Sequence, residues 1–174
     1  IRVLRTGLQT QTRLKTLITN NRDPGDTLSY VRAVEVVHPD LDETIFSIAN
    51  LPKIVFVPEG TVESWAATGK KEAQNTVAAY LIMRYHQRET SIMGDTSRPG
   101  GQGKGIVDFA EDFLSVVRGH RLSTGGTIYL DRPLDILGVD YIVENLGENG
   151  HFLIAQVTMR CDRLFDQATL PGDI

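Results

Sequence analysis

The chain has 174 residues, 41% hydrophobic and 23% charged, with 18 basic against 22 acidic side chains and a formal charge of −4. That length buries a self-sufficient core without disulfide or metal staples, the composition excludes wholesale disorder and fibrous repeats, and the mild acidity argues against a protein that coats nucleic acid. Cys161 is the single cysteine, which excludes an internal disulfide and fits a reducing cytoplasm, and no apolar run approaches the roughly 18 residues of a membrane span, so a soluble protein with no membrane partner is expected.

The chain opens on Ile1; because initiator methionine is removed only before small residues, a start upstream of it is expected, and no signal peptide is recognisable. Residues 2–19 place Val3, Leu4, Leu8, Leu14, Leu17 and Ile18 at helical spacing, which predicts an amphipathic helix. The first 22 residues of the chain carry Arg2, Arg5, Arg13, Lys15 and Arg22 and no carboxylate. Two readings fit that basic end, a solvated helix face and a contact for an acidic partner. NNRDPGD, 20–26, reads as a stop and turn, and the β-branched YVRAVEVV, 30–37, has strand character.

Residues 38–52 form an acidic connection whose Ile45, Phe46 and Ile48 are expected under a sheet. Asp40, Asp42 and Glu43 lack the alternating ligands and glycine of a calcium loop. KIVFVPEG, 53–60, is a short apolar run closed by Pro58 and Gly60, a buried strand, and the polar stretch 61–71, with Trp65, Lys70 and Lys71, reads as a loop or hairpin tip. In 72–88, Val77, Ala79, Leu81, Met83 and Tyr85 alternate as in a strand, while alanine, leucine and methionine favour helix. The strand reading is adopted, and two apolar faces place it centrally in a sheet.

SRPGGQGKGIVDF, 97–109, invites comparison with a phosphate-binding loop. The comparison fails at two positions: Gly105 stands where Ser or Thr must follow Lys104, and the earlier glycine falls on Arg98. A flexible connection into a helix is the preferred reading, with a nucleotide-dependent enzyme using Lys104 as the alternative. Ile106, Phe109, Ala110, Phe113, Leu114 and Val117 then recur at helical spacing, with Asp108, Glu111, Asp112, Ser115 and Arg118 opposite and Gly119 as the cap. The carboxylates of 108–112 are expected to solvate that outer face.

A short strand is expected around Ile128 and Leu130. In 135–146, Leu137, Val139, Tyr141 and Val143 share a face; in 151–165, Leu153, Ala155, Val157, Met159 and Cys161 stand against Gln156, Thr158, Arg160 and Asp162. GENG, 147–150, makes the pair an antiparallel hairpin. The prediction is a single α+β domain over 1–166 with a tail over 167–174. Four to five mainly antiparallel strands carry two main helices on one face, in the order helix, strands, helix, hairpin.

His38, His86, His120 and His151 lack metal-ligand spacing, no G-x-S-x-G elbow is present, and Cys161 falls on the core side of its strand. Trp65 and Tyr80 have no basic and aromatic interleaving around them, so packing is preferred to base stacking. No catalytic residue, metal or cofactor is assigned, and no sequence-specific nucleic acid is expected as partner.

The N-terminal amphipathic helix, the strand LPKIVFVPEG, the polar SWAATGKKEAQN leading into VAAYLIMRY, the helix IVDFAEDFLSVV and the closing DILGVDYIVENLGENGHFLIAQVTMRC cover most of the chain. Their order and texture resemble the tail terminator (tail completion) proteins of long-tailed bacteriophages. The resemblance implies a non-enzymatic virion subunit of the neck, assembled in the host cytoplasm. It would form a homohexameric ring on the head-proximal end of the tail tube, stop tube growth, and dock to the head connector or a head-completion protein. Other neck, head-completion and tail-tube components of similar layout are the nearest alternatives. On this reading the 98–105 loop (Arg98, Gln102, Lys104), the 59–71 segment (Trp65, Lys70, Lys71) and the basic helix (Arg13, Lys15) are candidate subunit or partner contacts.

Overall fold

A computed structural model of the chain describes residues 2–37, 50–67, 70–84, 92–94, 104–123, 126–145 and 151–166; the side chains of 2–8, 66, 67, 71, 145, 165 and 166 fall outside that description. Helix α1 spans Arg2–Asn20. A 3-10 turn, Thr27–Tyr30, leads into β1, Ala33–Val36. Strands β2, Lys53–Ala67, and β3, Lys70–Arg84, form a long hairpin. Helix α2, Ile106–Val117, precedes β4, Asp135–Asn145, and β5, His151–Asp166.

The strands form one sheet in the order β1-β2-β3-β5-β4. β3 is central, as its two apolar faces require. The pairs β2–β3, β3–β5 and β4–β5 are antiparallel, whereas β1 runs parallel to β2 with Val34 opposite Ile54. The sheet is therefore mixed: most of its pairings are antiparallel, as expected, and the parallel β1–β2 pair is the departure. A parallel neighbour needs a crossover of a dozen or more residues, and the stretch between β1 and β2 is long enough to supply one.

Both helices pack on one face. Leu14 and Ile18 from α1 and Ile106, Phe109, Ala110, Phe113 and Val117 from α2 join Ile54, Phe56, Ala79, Leu81, Ala155, Val157 and Met159 in the main core. The Phe56 and Phe113 rings lie 6.2 Å apart, so sheet and helix meet aromatic to aromatic. The apolar stripe of α2 is the face that the 3.6-residue period selects. Its N–H at Gly105 donates to the Asp108 carboxylate at 3.1 Å, and Gly119, at φ 72°, takes the left-handed turn that ends it. A Cβ at Gly105 would lie 2.3 Å from the carbonyl oxygen of Ile92, so only glycine fits that entry.

A smaller cluster on the opposite face joins Val55, Ile82, Phe152 and Ile154 with Val57, Tyr80 and Ile142. Lys53 is fully buried, 3.9 Å from Glu35. Burial pulls its ammonium below the usual lysine range, and the Glu35 charge opposes that shift.

Several expectations change in detail. The 30–37 strand is shorter because 27–30 coils into the 3-10 turn. Of the two readings of 61–71, loop or hairpin tip, the hairpin is the one found, with 61–67 continuing β2 and 70–71 opening β3, and Ile128 to Leu130 form no strand, with only a single bridge at Thr127. Ile45, Phe46, Ile48, Tyr85, the 147–150 turn and the 167–174 tail lie outside the described residues.

Candidate functional site

Two surfaces stand out from this frame. The first is the outer half of the β2–β3 hairpin. Pro58 lacks an N–H for the ladder, and the register shifts between Pro58 and Gly60. Beyond that bulge the hairpin runs on as a ladder from Gly60 opposite Thr76 to Ala67 opposite Lys70, a reach of about 25 Å. On it Val62 is 65% and Trp65 61% exposed, and Glu63, Ser64 and Lys70 face solvent. The inner strand of this arm is held by the end of β5, with Glu72 opposite Leu164 and Asn75 opposite Cys161.

The root of the arm is braced on both faces. On the helix side, Tyr129 is sandwiched between Arg13 of α1, at 4.2 Å from the ring centre, and Arg163 of β5, at 4.3 Å. Its hydroxyl donates to Gln9 Oε1 at 3.3 Å. On the other side Asp162, 4% exposed, lies between Arg160 at 3.4 Å and Arg132 at 3.8 Å. Arg160 also reaches Asp135 at 3.1 Å and Arg132 reaches Glu72 at 3.8 Å. The Arg160 to Asp162 contact is a charge pairing rather than an aligned hydrogen bond, since neither Nε nor Oδ1 has a hydrogen-bond partner. Asp131 seals the outer side of β5 by donating its N–H to Asp162 O at 3.2 Å and accepting the Leu164 N–H.

The second surface is β4, an edge strand with no further strand beside it among the described residues. Val139, Tyr141 and Val143 stand opposite Val157, Ala155 and Leu153, so they belong to the helix-side face. Tyr141 is nevertheless 51% and Val143 59% exposed: among the described residues β5 is roofed by the helices and these two side chains of β4 are not. A register shift between Ile136 and Gly138 leaves Leu137 as an extra residue, 52% exposed, while Ile136 takes the place opposite Met159. Leu137 therefore does not share the alternation of Val139, Tyr141 and Val143, which corrects the sequence expectation. Partial burial and the nearby Glu111 carboxylate of α2 both push the Tyr141 phenol above its ordinary range. Asp135, Asp140 and Glu144 are the only charged side chains of this strand.

The glycine-rich entry to α2 is organised differently from a phosphate loop. Lys104 Nζ lies 3.1 Å from Asp112 Oδ2 and 3.8 Å from Asp26. Asp112 Oδ2 also accepts the N–H and hydroxyl of Thr27, both at 2.8 Å. Burial penalises both charges, but the Thr27 hydrogen bonds and Lys104 together hold the Asp112 carboxyl below its ordinary range. Asp112, with Asp26 and Asp108, holds the Lys104 ammonium above its own. Asp112 and Asp108 thus have specific partners rather than only solvating the helix.

Of the residues singled out from sequence, Trp65 and Lys70 lie at the arm tip, and Lys71 stands opposite Trp65 with its side chain outside the description. Arg13 packs on Tyr129, Lys15 is exposed on α1, Lys104 is tied to Asp112, and Arg98 and Gln102 lie outside the described residues. The structure does not gather these side chains into one site. Val62, Tyr141, Val143, Tyr129 and Arg163 were not singled out. The alternation of 135–146 was the available signal, but it shows only which side chains share a face, not whether that face is covered.

Arg13, Thr16, Asn20, Asn21, His120 and Ser123 line a cleft of about 250 Å³ between α1 and the segment after α2. Burial, aided by the Asp162 charge, pushes the Cys161 thiol up to about 12. Among the described residues no three His, Cys, Asp or Glu side chains are grouped to hold a metal, and no helix is long and apolar enough to cross a membrane. No family model matches the chain, and no curated protein matches it.

Proposed function

We propose that this chain is a structural subunit of the neck of a long-tailed bacteriophage: a tail terminator whose copies form a six-membered ring on the head-proximal end of the tail tube. The ring ends tube growth and offers its far side to the head connector. The observation that carries the reading is the open β4 edge, where Tyr141 and Val143 stay half exposed on a face whose neighbouring strand is buried. An edge strand with an uncovered apolar face is an association hazard unless a partner covers it. Repetition of one chain around a ring covers every such face at once. The resemblance in element order and strand texture supplies the identity of the ring. Buried Cys161 and Asp112-bound Lys104 are committed to packing and to an ion pair, which is in keeping with a structural role.

The test is tube length. Added to polymerising tail-tube subunits of the same phage, a terminator caps the tubes, and the more of it is added the shorter the tubes remain. Tubes that keep growing overturn the terminator assignment, and incorporation of the chain along the tube identifies a tube component instead.

A further inference from the structure

Beyond the ring reading and independent of it, we infer that the cleft between α1 and the segment after α2 binds a small oxyanion, a carboxylate or an inorganic phosphate. Its wall sets His120, Asn20, Asn21 and Ser123 beside the Arg13 guanidinium, and among the described residues no Asp or Glu side chain lines it. Residues 9–22 and 113–123, which carry these groups, contain no carboxylate, and exposed Arg118 and Arg121 flank His120 in the chain. The strap that follows brings Asp131, whose carboxylate is already taken by the Leu164 N–H. A volume of about 250 Å³ lies below the roughly 300–1,000 Å³ of drug-sized ligand sites, so one small charged group suits it.

The groups are held in place before any ligand arrives. His120 Nδ1 accepts the Leu122 N–H at 2.8 Å, which leaves Nε2 as the N–H donor of the ring. Leu122 makes that contact from a left-handed conformation, φ 51°, that a leucine adopts only when its surroundings impose it. The backbone of His120 and Arg121 is pinned from the other side by the N–H groups of Leu134 and Leu130, at 2.9 and 3.0 Å. Arg13 stacks by its face on Tyr129, which fixes its positive charge at the wall. Helix C-termini disfavour anions, but here their carbonyls are capped: Leu17 O and Ile18 O accept from Asn21, Leu114 O from Arg118 and Val117 O from His120. Little ordering is therefore lost on binding.

The experiment titrates sodium phosphate and, separately, sodium succinate into the full chain at fixed pH and at an ionic strength held constant with sodium chloride. The His120 ring nitrogens are followed by NMR through the carbon-bound ring protons. Saturable shifts are expected with at least one of the two anions, and the tighter of them gives the class of the occupant. Ser123→Asp and Asn20→Asp each place a carboxylate at the cleft from an exposed position and are expected to weaken binding at least about tenfold. Ser64→Asp adds the same charge on the β2–β3 arm and is expected to change it less than about twofold. Circular dichroism checks that each variant keeps the wild-type fold. Shifts that never saturate with either anion, or a Ser64→Asp chain weakened as much as the cleft variants, overturn the site and leave the ring reading untouched.

Discussion

Replacing Asp112 by alanine removes one carboxylate that serves three donors from two distant parts of the chain. Thr27 lies 85 residues away, and its N–H and hydroxyl both donate to Oδ2 at 2.8 Å. A hydrogen bond to a charged acceptor contributes about 1.5–3 kcal/mol, and a buried donor left unpaired costs about 1–3 kcal/mol. Thr27 is 7% exposed, so water does not readily replace the lost acceptor. The Lys104 side chain is 32% exposed, and its ion pair counts for less than about 1 kcal/mol. Since Asp112 itself retains some access to water, the expected loss for Asp112→Ala is about 3 kcal/mol, read by urea denaturation with far-ultraviolet circular dichroism. Lys104→Ala is expected to lose less than about 1 kcal/mol. The carboxyl is held below its unfolded value of about 3.9, so its contribution is complete above that pH and is lost as pH falls through the folded value. The gap between wild type and Asp112→Ala therefore closes on acidification below about pH 4. A loss under about 1 kcal/mol, or one no greater than that of Lys104→Ala, refutes the assignment of Asp112 as the tie between α2 and the Thr27 turn.

Cys161 resists alkylation at neutral pH in the native protein and reacts at the ordinary rate in denaturant, because its thiol is buried and pushed up to about 12; rapid native labelling contradicts its core position. Phe113→Ala empties the place between α2 and Phe56 and costs about 3–5 kcal/mol in the same denaturation assay. For buried Lys53 the sign is opposite to that of Asp112: its folded value lies below the unfolded value of about 10.4, so the cost of its charge is complete at low pH and fades as pH rises towards that value. Wild type is thus expected to gain on Lys53→Met from neutral to alkaline pH, and a flat difference contradicts the burial of a charged ammonium.

Much of the frame is legible in the residue order. Phe109, Phe113 and Val117 announce α2 because one stripe must face the sheet, and the alternation from Leu153 to Cys161 announces β5 because successive side chains point to opposite faces. Longer-range causes account for what is not legible. GTVESWAA, 60–67, has no apolar alternation, yet it continues the ladder because β3, and behind it β5, offers a backbone edge to pair with. The parallel β1–β2 pairing depends on where the connecting segment crosses, which no local period records. The bulge at Leu137, beside Gly138, shifts the parity of β4 by one residue, and whether Tyr141 is covered depends on how far α2 extends over the sheet. Lys104 drew attention through its glycine neighbours, while its partner Asp112 lay on a helix face that read as solvated.

Association of this chain with its own copies is the claim on which the functional account stands, and native mass spectrometry of the full protein over a dilution series tests it most directly. The account predicts a species of six times the 19.3 kDa chain mass that survives dilution as a discrete particle and shows six-fold rings by electron microscopy. A strictly monomeric chain at every concentration, with tail tube present as well as without it, contradicts the account.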